Sequence, residues 1–213
     1  MNDKEVFWDE YSSDFDSIYG IKNSLFNIII NRLFRETMRI RFEKTIRMIP
    51  EEEVSVLDIG CGPGHYCFAL AKNGSRKILG IDFSERMIEL SRKHAAEMRI
   101  GNNLEFKVQN ILDFVTQDKY DYVIMMGFIE YFESPVIMLK KAVSLAQVSV
   151  FISFPAKGGI LAFQRKLRYK RKCFLRFYNY DDIRNLLQEC NIKHFKIERI
   201  RRDFFVSINI NQK

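Results

Sequence analysis

Residues 54–64 read VSVLDIGCGPG, an apolar run that ends in Asp58 and then in glycines at alternate positions, Gly60, Gly62 and Gly64, with Cys61 between the first two. HYCFALAKNG follows, and the whole reads as a buried strand, a tight turn and a helix that opens near His65. Glycines at such a turn let the backbone approach a ligand closely, because no Cβ stands in the way. The dinucleotide pattern G-x-G-x-x-G would put its last glycine at position 65, but here it falls one place early. That spacing disfavours a pyridine-dinucleotide dehydrogenase. Further on, in KILGIDFSERMIELSRK, the apolar strand Lys77–Ile81 leads into a second carboxylate, Asp82. Ser84 then caps an amphipathic helix with Met87, Ile88 and Leu90 on one side. A carboxylate at that strand end can accept both hydrogen bonds of a ribose diol. Taken alone, Asp82 would serve equally as a helix-capping acid.

Two further segments belong to the series. After the apolar stretch Leu104–Val108 comes QNILDF, where Asn110 offers an amide oxygen to a ligand or caps a helix over Ile111–Val115. A buried strand Tyr122–Met126 then breaks at Gly127 and runs into FIEYFESP. In order and spacing, these segments across Val54–Pro135 resemble the motifs of class I S-adenosylmethionine (SAM)-dependent methyltransferases.

The resemblance implies SAM as the cofactor. It implies that Asp58, Gly60, Cys61, Gly62 and Gly64 form the turn beneath it, and that Asp82 takes its ribose. His65 would stand beside the cofactor's carboxylate, or else merely pack in the first helical turn. Phe83 would lie against the adenine, with Met87 on the same side. Asn110 and the Ile111 backbone would meet the adenine edge, and Met126 and Gly127 would close over the methionine part. At whole-chain level the chain resembles bacterial small-molecule methyltransferases, including the ubiquinone and Mg-protoporphyrin O-methyltransferase group. The residues that carry this are FWDEYSSDFDSIY, a helical N-terminal segment and GFIEYFESP. The implied lid over the cofactor contains Trp8, Tyr11 and Phe15, with Tyr11 among the cofactor-binding residues. The chain departs from the family pattern at Tyr131, where relatives often carry His, and at Asn110, where they often carry an acid.

Methyl transfer from a sulfonium is an in-line displacement, so much of the catalysis comes from alignment. The Pro-Pro-aromatic signature of exocyclic-amine nucleic-acid enzymes is missing, because Gly127–Phe128–Ile129 stands in its place. No cysteine directly follows the fourth or fifth strand to act as a covalent nucleophile. No Asp ends the fourth strand to hold Mg²⁺, so no metal is expected. A tyrosine, with a pKa of ~10, is a poor base at neutral pH. Tyr131 is therefore read as an orienting hydroxyl or pocket wall on the substrate side, and the general base stays unassigned.

These groups need a frame. A chain of 213 residues fits one α/β domain with a sizeable core. No apolar run reaches the ~18–20 residues that span a bilayer, and the acidic start lacks a secretory pattern. Cys61, Cys67, Cys173 and Cys190 form no CxxC pair and no metal-ligand spacing with the three histidines, so a cytoplasmic location is expected. Residues 1–50 are predicted as a helical lid that ends at Pro50, and residues 51–153 as the SAM-binding core. In that core, strands are predicted near 54–58, 77–82, 104–108, 121–126 and 148–153, with helices near 64–73, 84–99, 110–116 and 135–146. Residues 154–180 form a basic substrate-side segment, and 181–213 a helix and two last strands paired around Arg202–Asp203. Strands alternating with helices predict an α/β fold with a parallel sheet. The resemblance implies a Rossmann-like, doubly wound seven-stranded sheet, mostly parallel, with an antiparallel last strand inserted between the fifth and sixth, plus the lid.

Between Arg165 and Arg176 stand seven Lys or Arg and no acid, which accounts for the whole formal net charge of +7. Such a run attracts phosphates, carboxylates or nucleic acid, or simply solvates a connection. Interleaved aromatics suit a packed wall, and Arg168, Tyr169, Arg171 and Tyr178 join Tyr131 as candidate substrate-binding residues. The leading expectation is methyl transfer to a small, anionic acceptor, metal-independent and mainly by positioning. An RNA-modifying methyltransferase and a non-catalytic SAM-binding protein are the alternatives. Neither a DNA partner nor a membrane span is expected.

Overall fold

The computed structural model describes residues 25–72, 76–158 and 174–211, with side chains of the first helix described from Glu36 onward. Tyr11, Arg168, Tyr169 and Arg171 lie outside these residues, as do Trp8, Phe15 and most of the basic run.

Strands β1 (Ser55–Ile59), β2 (Lys77–Asp82), β3 (Leu104–Val108), β4 (Tyr120–Met125) and β5 (Ala146–Pro155) are parallel. Strand β7 (Asp203–Asn209) runs antiparallel between β5 and β6 (Phe195–Ile200), giving the order β3-β2-β1-β4-β5-β7-β6. This is the expected seven-stranded sheet, with the last strand reversed and inserted. A tight turn joins β6 to β7 at Arg201–Arg202, so β7 can only pair back against its predecessor.

The central strands are near-continuous apolar runs because helices cover both faces of the sheet. On one face, Cys67, Phe68 and Leu70 of α2 (His65–Ala71) and Ile88 of α3 (Glu85–Glu97) pack on Val56, Ile78, Ile124 and Phe151. Ile49, just past α1 (Leu25–Met48), joins them. On the other face, Met138 and Leu139 of α4 (Pro135–Leu145) and Ile183 and Leu187 of α5 (Tyr180–Glu189) pack on Leu57, Val123 and Ile152. Ser84 caps α3 by accepting from the Met87 N–H, and Asn179 and Asp182 cap α5 reciprocally.

The helix expected over 110–116 is absent, and a series of turns stands there. The Asn110 side chain accepts from the Leu112 N–H at 3.0 Å, and Asp113 N–H reaches Asn110 O at 3.1 Å. Ile111 and Phe114 are buried while Leu112 and Val115 are exposed. With so little apolar face to bury, the segment stops at a turn rather than a costly helical nucleus.

From β1 the chain winds outward to β2 and β3 on one side, then crosses to β4 and β5 on the other. In open α/β sheets, ligands bind beside such a reversal, at the carboxyl ends of the strands. The helix α1 lies over that end.

Candidate active site

A cavity of about 420 Å³ opens there, within the range of small-molecule sites. Its floor is the turn after β1, with Asp58, Gly60, Cys61, Gly62 and Pro63. His65 and Tyr66 of α2 close one side; Asp82, Phe83 and Met87 close another. Met126, Gly127, Phe128, Tyr131 and Phe132 come from the end of β4, and Met38, Arg39, Arg41 and Phe42 descend from α1.

Asp82 is held by two backbone donors. Gly62 N–H donates to Oδ2 and Ser84 N–H to Oδ1, each at 3.0 Å. The carboxylate thus joins the glycine turn to the cap of α3 and keeps its orientation at the cavity. Gly62 has φ +52°, and a Cβ there would meet nothing within 4 Å. The space above this turn is free for a ligand to lie against the backbone.

Asp58 is 2% exposed. The Cys67 thiol donates to its Oδ2 at 3.3 Å. Burial raises the carboxyl's pKa to about 7, against the Cys67 hydrogen bond, and the Asp82 charge adds to the rise. An opposite charge brought beside it would favour its ionised form. Burial likewise raises Cys61 to about 11 and Cys67 well above the ordinary thiol value, so both are neutral thiols rather than nucleophiles.

Arg41, from α1, brings a buried cation to the same cavity. Its Nε donates to Tyr66 Oη at 3.2 Å, and its Nη1 to Ser153 Oγ at 3.0 Å and Asp203 Oδ2 at 3.3 Å. Burial works against the charge, but Tyr66, Asp203 and Glu130 outweigh it and hold the pKa above its ordinary value. Gly127 has φ +69°, and its missing Cβ would stand 3.4 Å from Arg41 Nη2. The glycine that ends β4 thus gives the guanidinium room to reach the cavity. Gly127 N–H also donates to Ser153 Oγ at 2.8 Å.

Of the residues singled out from sequence, Asp58, Gly60, Cys61, Gly62, His65, Asp82, Phe83, Met87, Met126, Gly127 and Tyr131 line one cavity. Gly64, Asn110, Ile111 and Tyr178 lie off that lining. Gly64 caps α2 and faces Phe68 and Phe106. Asn110 spends its side chain on Leu112, and Ile111 is buried in the core. Tyr178 is 1% exposed, because its backbone bridges Ala156 and its ring packs edge-on against Phe154 at 5.0 Å. Sequence reasoning passed over Met38, Arg41, Phe42, Tyr66, Phe128 and Phe132. The available signal was the α1 spacing: Met38, Arg41, Phe42 and Thr45 fall on one face, and an arginine there is an arginine turned inward.

Among the described residues, no group of three His, Cys, Asp or Glu is placed to hold a metal ion, and no helix is long and apolar enough to cross a membrane. The cavity therefore offers cations, a buried acid, a second carboxylate at a strand end and apolar walls.

Comparison with known proteins agrees. A ubiquinone biosynthesis O-methyltransferase of Coxiella burnetii is 34% identical over 90 residues, 42% of this chain and 38% of that protein. This chain thus matches well under half the length of that relative. One from Hydrogenovibrio crunogenus is 24% identical over 191 residues, 90% of this chain and 68% of the relative. The fold is shared with magnesium protoporphyrin IX methyltransferase of Synechocystis PCC 6803, solved with bound SAH, at a TM-score of 0.75 and 22% identity over 97% of this chain and 99% of that one. The family described as Methyltransferase domain matches residues 50–165. That span holds the glycine turn, Asp82 and every strand from β1 to β5, and by it the chain belongs to the methyltransferase-domain family.

Proposed function

We propose that this protein binds SAM in the cavity and directs its methyl group to an oxygen of a small-molecule acceptor. The observation that carries the reading is that buried Arg41, buried Asp58 and Asp82 line one cavity. Arg41 takes the cofactor's carboxylate, Asp58 its ammonium and Asp82 its ribose diol. Phe83 and Met87 supply apolar faces for the adenine, and the Gly60–Gly62 backbone lets the ligand lie close. The bound sulfonium supplies an electrophilic methyl group. The chain supplies alignment and a dry wall: Phe42, Phe128, Tyr131 and Phe132 shield the reacting end from water and orient the acceptor. Tyr131 serves as an orienting hydroxyl, not as a base.

The names of the relatives, an O-methyltransferase of ubiquinone biosynthesis and a methyltransferase of magnesium protoporphyrin IX, support a small acceptor and, in the first case, oxygen. An anionic acceptor suits Arg39 at the cavity and the charge of the Arg165–Arg176 run. Transfer is metal-independent in this reading, so chelators leave it unchanged. The N-terminal residues around Tyr11 act as the lid. The test is transfer of labelled methyl from SAM into fractionated cell extract. Label in the metabolite fraction is expected; label in RNA, or in no fraction, would overturn the small-acceptor reading.

A further inference from the structure

Arg41 is gripped on one side only. Tyr66 of α2 accepts from Nε, while Ser153 of β5 and Asp203 of β7 both accept from Nη1. A guanidinium has five N–H donors, and these contacts use three. Both remaining protons are on Nη2, which has no hydrogen bond among the described residues and stands beside Gly127 at the cavity. An arginine and a carboxylate free to choose would pair fork to fork. Here Asp203 meets Nη1 alone, so the pair leaves the second prong open.

Asp203 is remote from every motif of the cofactor site, 162 residues from Arg41 in the chain. It begins β7, opposite Pro155 of β5 and Ile200 of β6, and only the inserted antiparallel strand brings it under α1. Two other ion pairs join the same helix to the same hairpin, Glu36 with Arg201 and Lys44 with Glu198, both at 2.9 Å. Those side chains are substantially exposed, whereas Arg41 and Asp203 are each only 11% exposed. Docking of α1 is thus served by the outer pairs, while the buried pair sits where it can aim a charge.

We propose that Asp203 is a positioning residue for cofactor binding. Acting through Arg41, and helped by Ser153, it turns the Nη2 protons toward the carboxylate end of SAM; it touches no ligand itself. This rests on the placement of that carboxylate at Arg41 under the proposed function.

The test compares SAM with decarboxylated SAM, which differs by that carboxylate alone, in equilibrium titrations of wild type and Asp203→Asn. Wild type is expected to prefer SAM. Asp203→Asn should weaken SAM binding by about tenfold, the scale of one misaimed charge-assisted hydrogen bond, and leave decarboxylated SAM nearly unchanged. Asp203→Glu should recover part of the preference. Equal loss for both ligands would make Asp203 a purely structural residue, and an unchanged preference would remove it from the site; either overturns the proposal. A wild type that shows no preference fails at Arg41 instead, and with it the reading beneath. If the buried arginine, left without its counter-charge, prevents Asp203→Asn from folding, Ser153→Ala removes a neighbouring bond to Nη1 and keeps Asp203. It must then show the same selective loss, smaller in size, and the absence of that loss overturns the proposal.

Discussion

Asp82 Oδ2 accepts the Gly62 N–H at 3.0 Å, so the carboxylate proposed for the ribose also fixes the glycine turn beneath it. Cofactor affinity and loop order are therefore coupled through one side chain. Asp82→Ala removes the diol acceptor and the tie to Gly62 together, at a cost on the order of 2–4 kcal/mol in SAM binding. Calorimetry reads the affinity, and hydrogen exchange over residues 60–64 should quicken in the same variant.

Asp58 makes the affinity depend on pH. Its carboxyl titrates at about 7 in the folded protein, raised from 3.8 chiefly by burial. In the proposed binding mode the cofactor's ammonium pairs with the ionised form, so SAM binding should strengthen as pH rises from 6 to 8. For the ligand-free protein the sign is opposite. The folded state holds this proton more tightly than the unfolded chain, so its contribution to stability is full below pH 3.8 and is lost as pH rises through about 7. Asp58→Asn should flatten both profiles and weaken SAM binding at pH 8 while raising the melting temperature of the ligand-free protein there.

Gly127→Ala places a methyl group 3.4 Å from Arg41 Nη2 at a backbone φ of +69°. The strain should lower stability by about 1 kcal/mol, read from denaturant midpoints. The displaced guanidinium should weaken SAM more than 5′-methylthioadenosine, which lacks the amino-acid end.

The floor of the cavity was legible because its residues lie close together in local sequence. Asp58, the glycines and Asp82 sit at strand ends, where an apolar run stops and a small or acidic residue follows. Arg41 was not legible in that way. It is one of five arginines on the helix Leu25–Met48, and only the fold brings Ser153 and Asp203 to it. Tyr178 shows the reverse case: the interleaved aromatics read as a packed wall on the substrate side, yet Tyr178 N–H donates to Pro155 O at 2.8 Å and its ring packs on Phe154, away from the cavity. The segment after Asn110 failed as a helix because only Ile111 and Phe114 find apolar cover, while Leu112 and Val115 face solvent. The order of the last two strands was expected from the resemblance rather than from their residues, and the reversed β7 bears it out.

Most of the basic run lies outside the described residues, and its role is predicted from charge. Reversing Arg168 and Arg171 to Glu should raise the acceptor's KM and leave SAM affinity nearly unchanged. Added salt should act in the same direction, since exposed charges are screened beyond ~8–10 Å. Normal turnover of the acceptor at low salt would reduce the run to a solvated connection.

The measurement that bears most directly on the account is a calorimetric titration of SAM into the purified protein at pH 8, with and without Arg41→Ala. Saturable binding in the micromolar range is predicted for wild type, weakened at least about tenfold by the substitution through loss of the charge-assisted contact to the carboxylate. No saturable binding at millimolar SAM, or equal affinity in the two proteins, would contradict it.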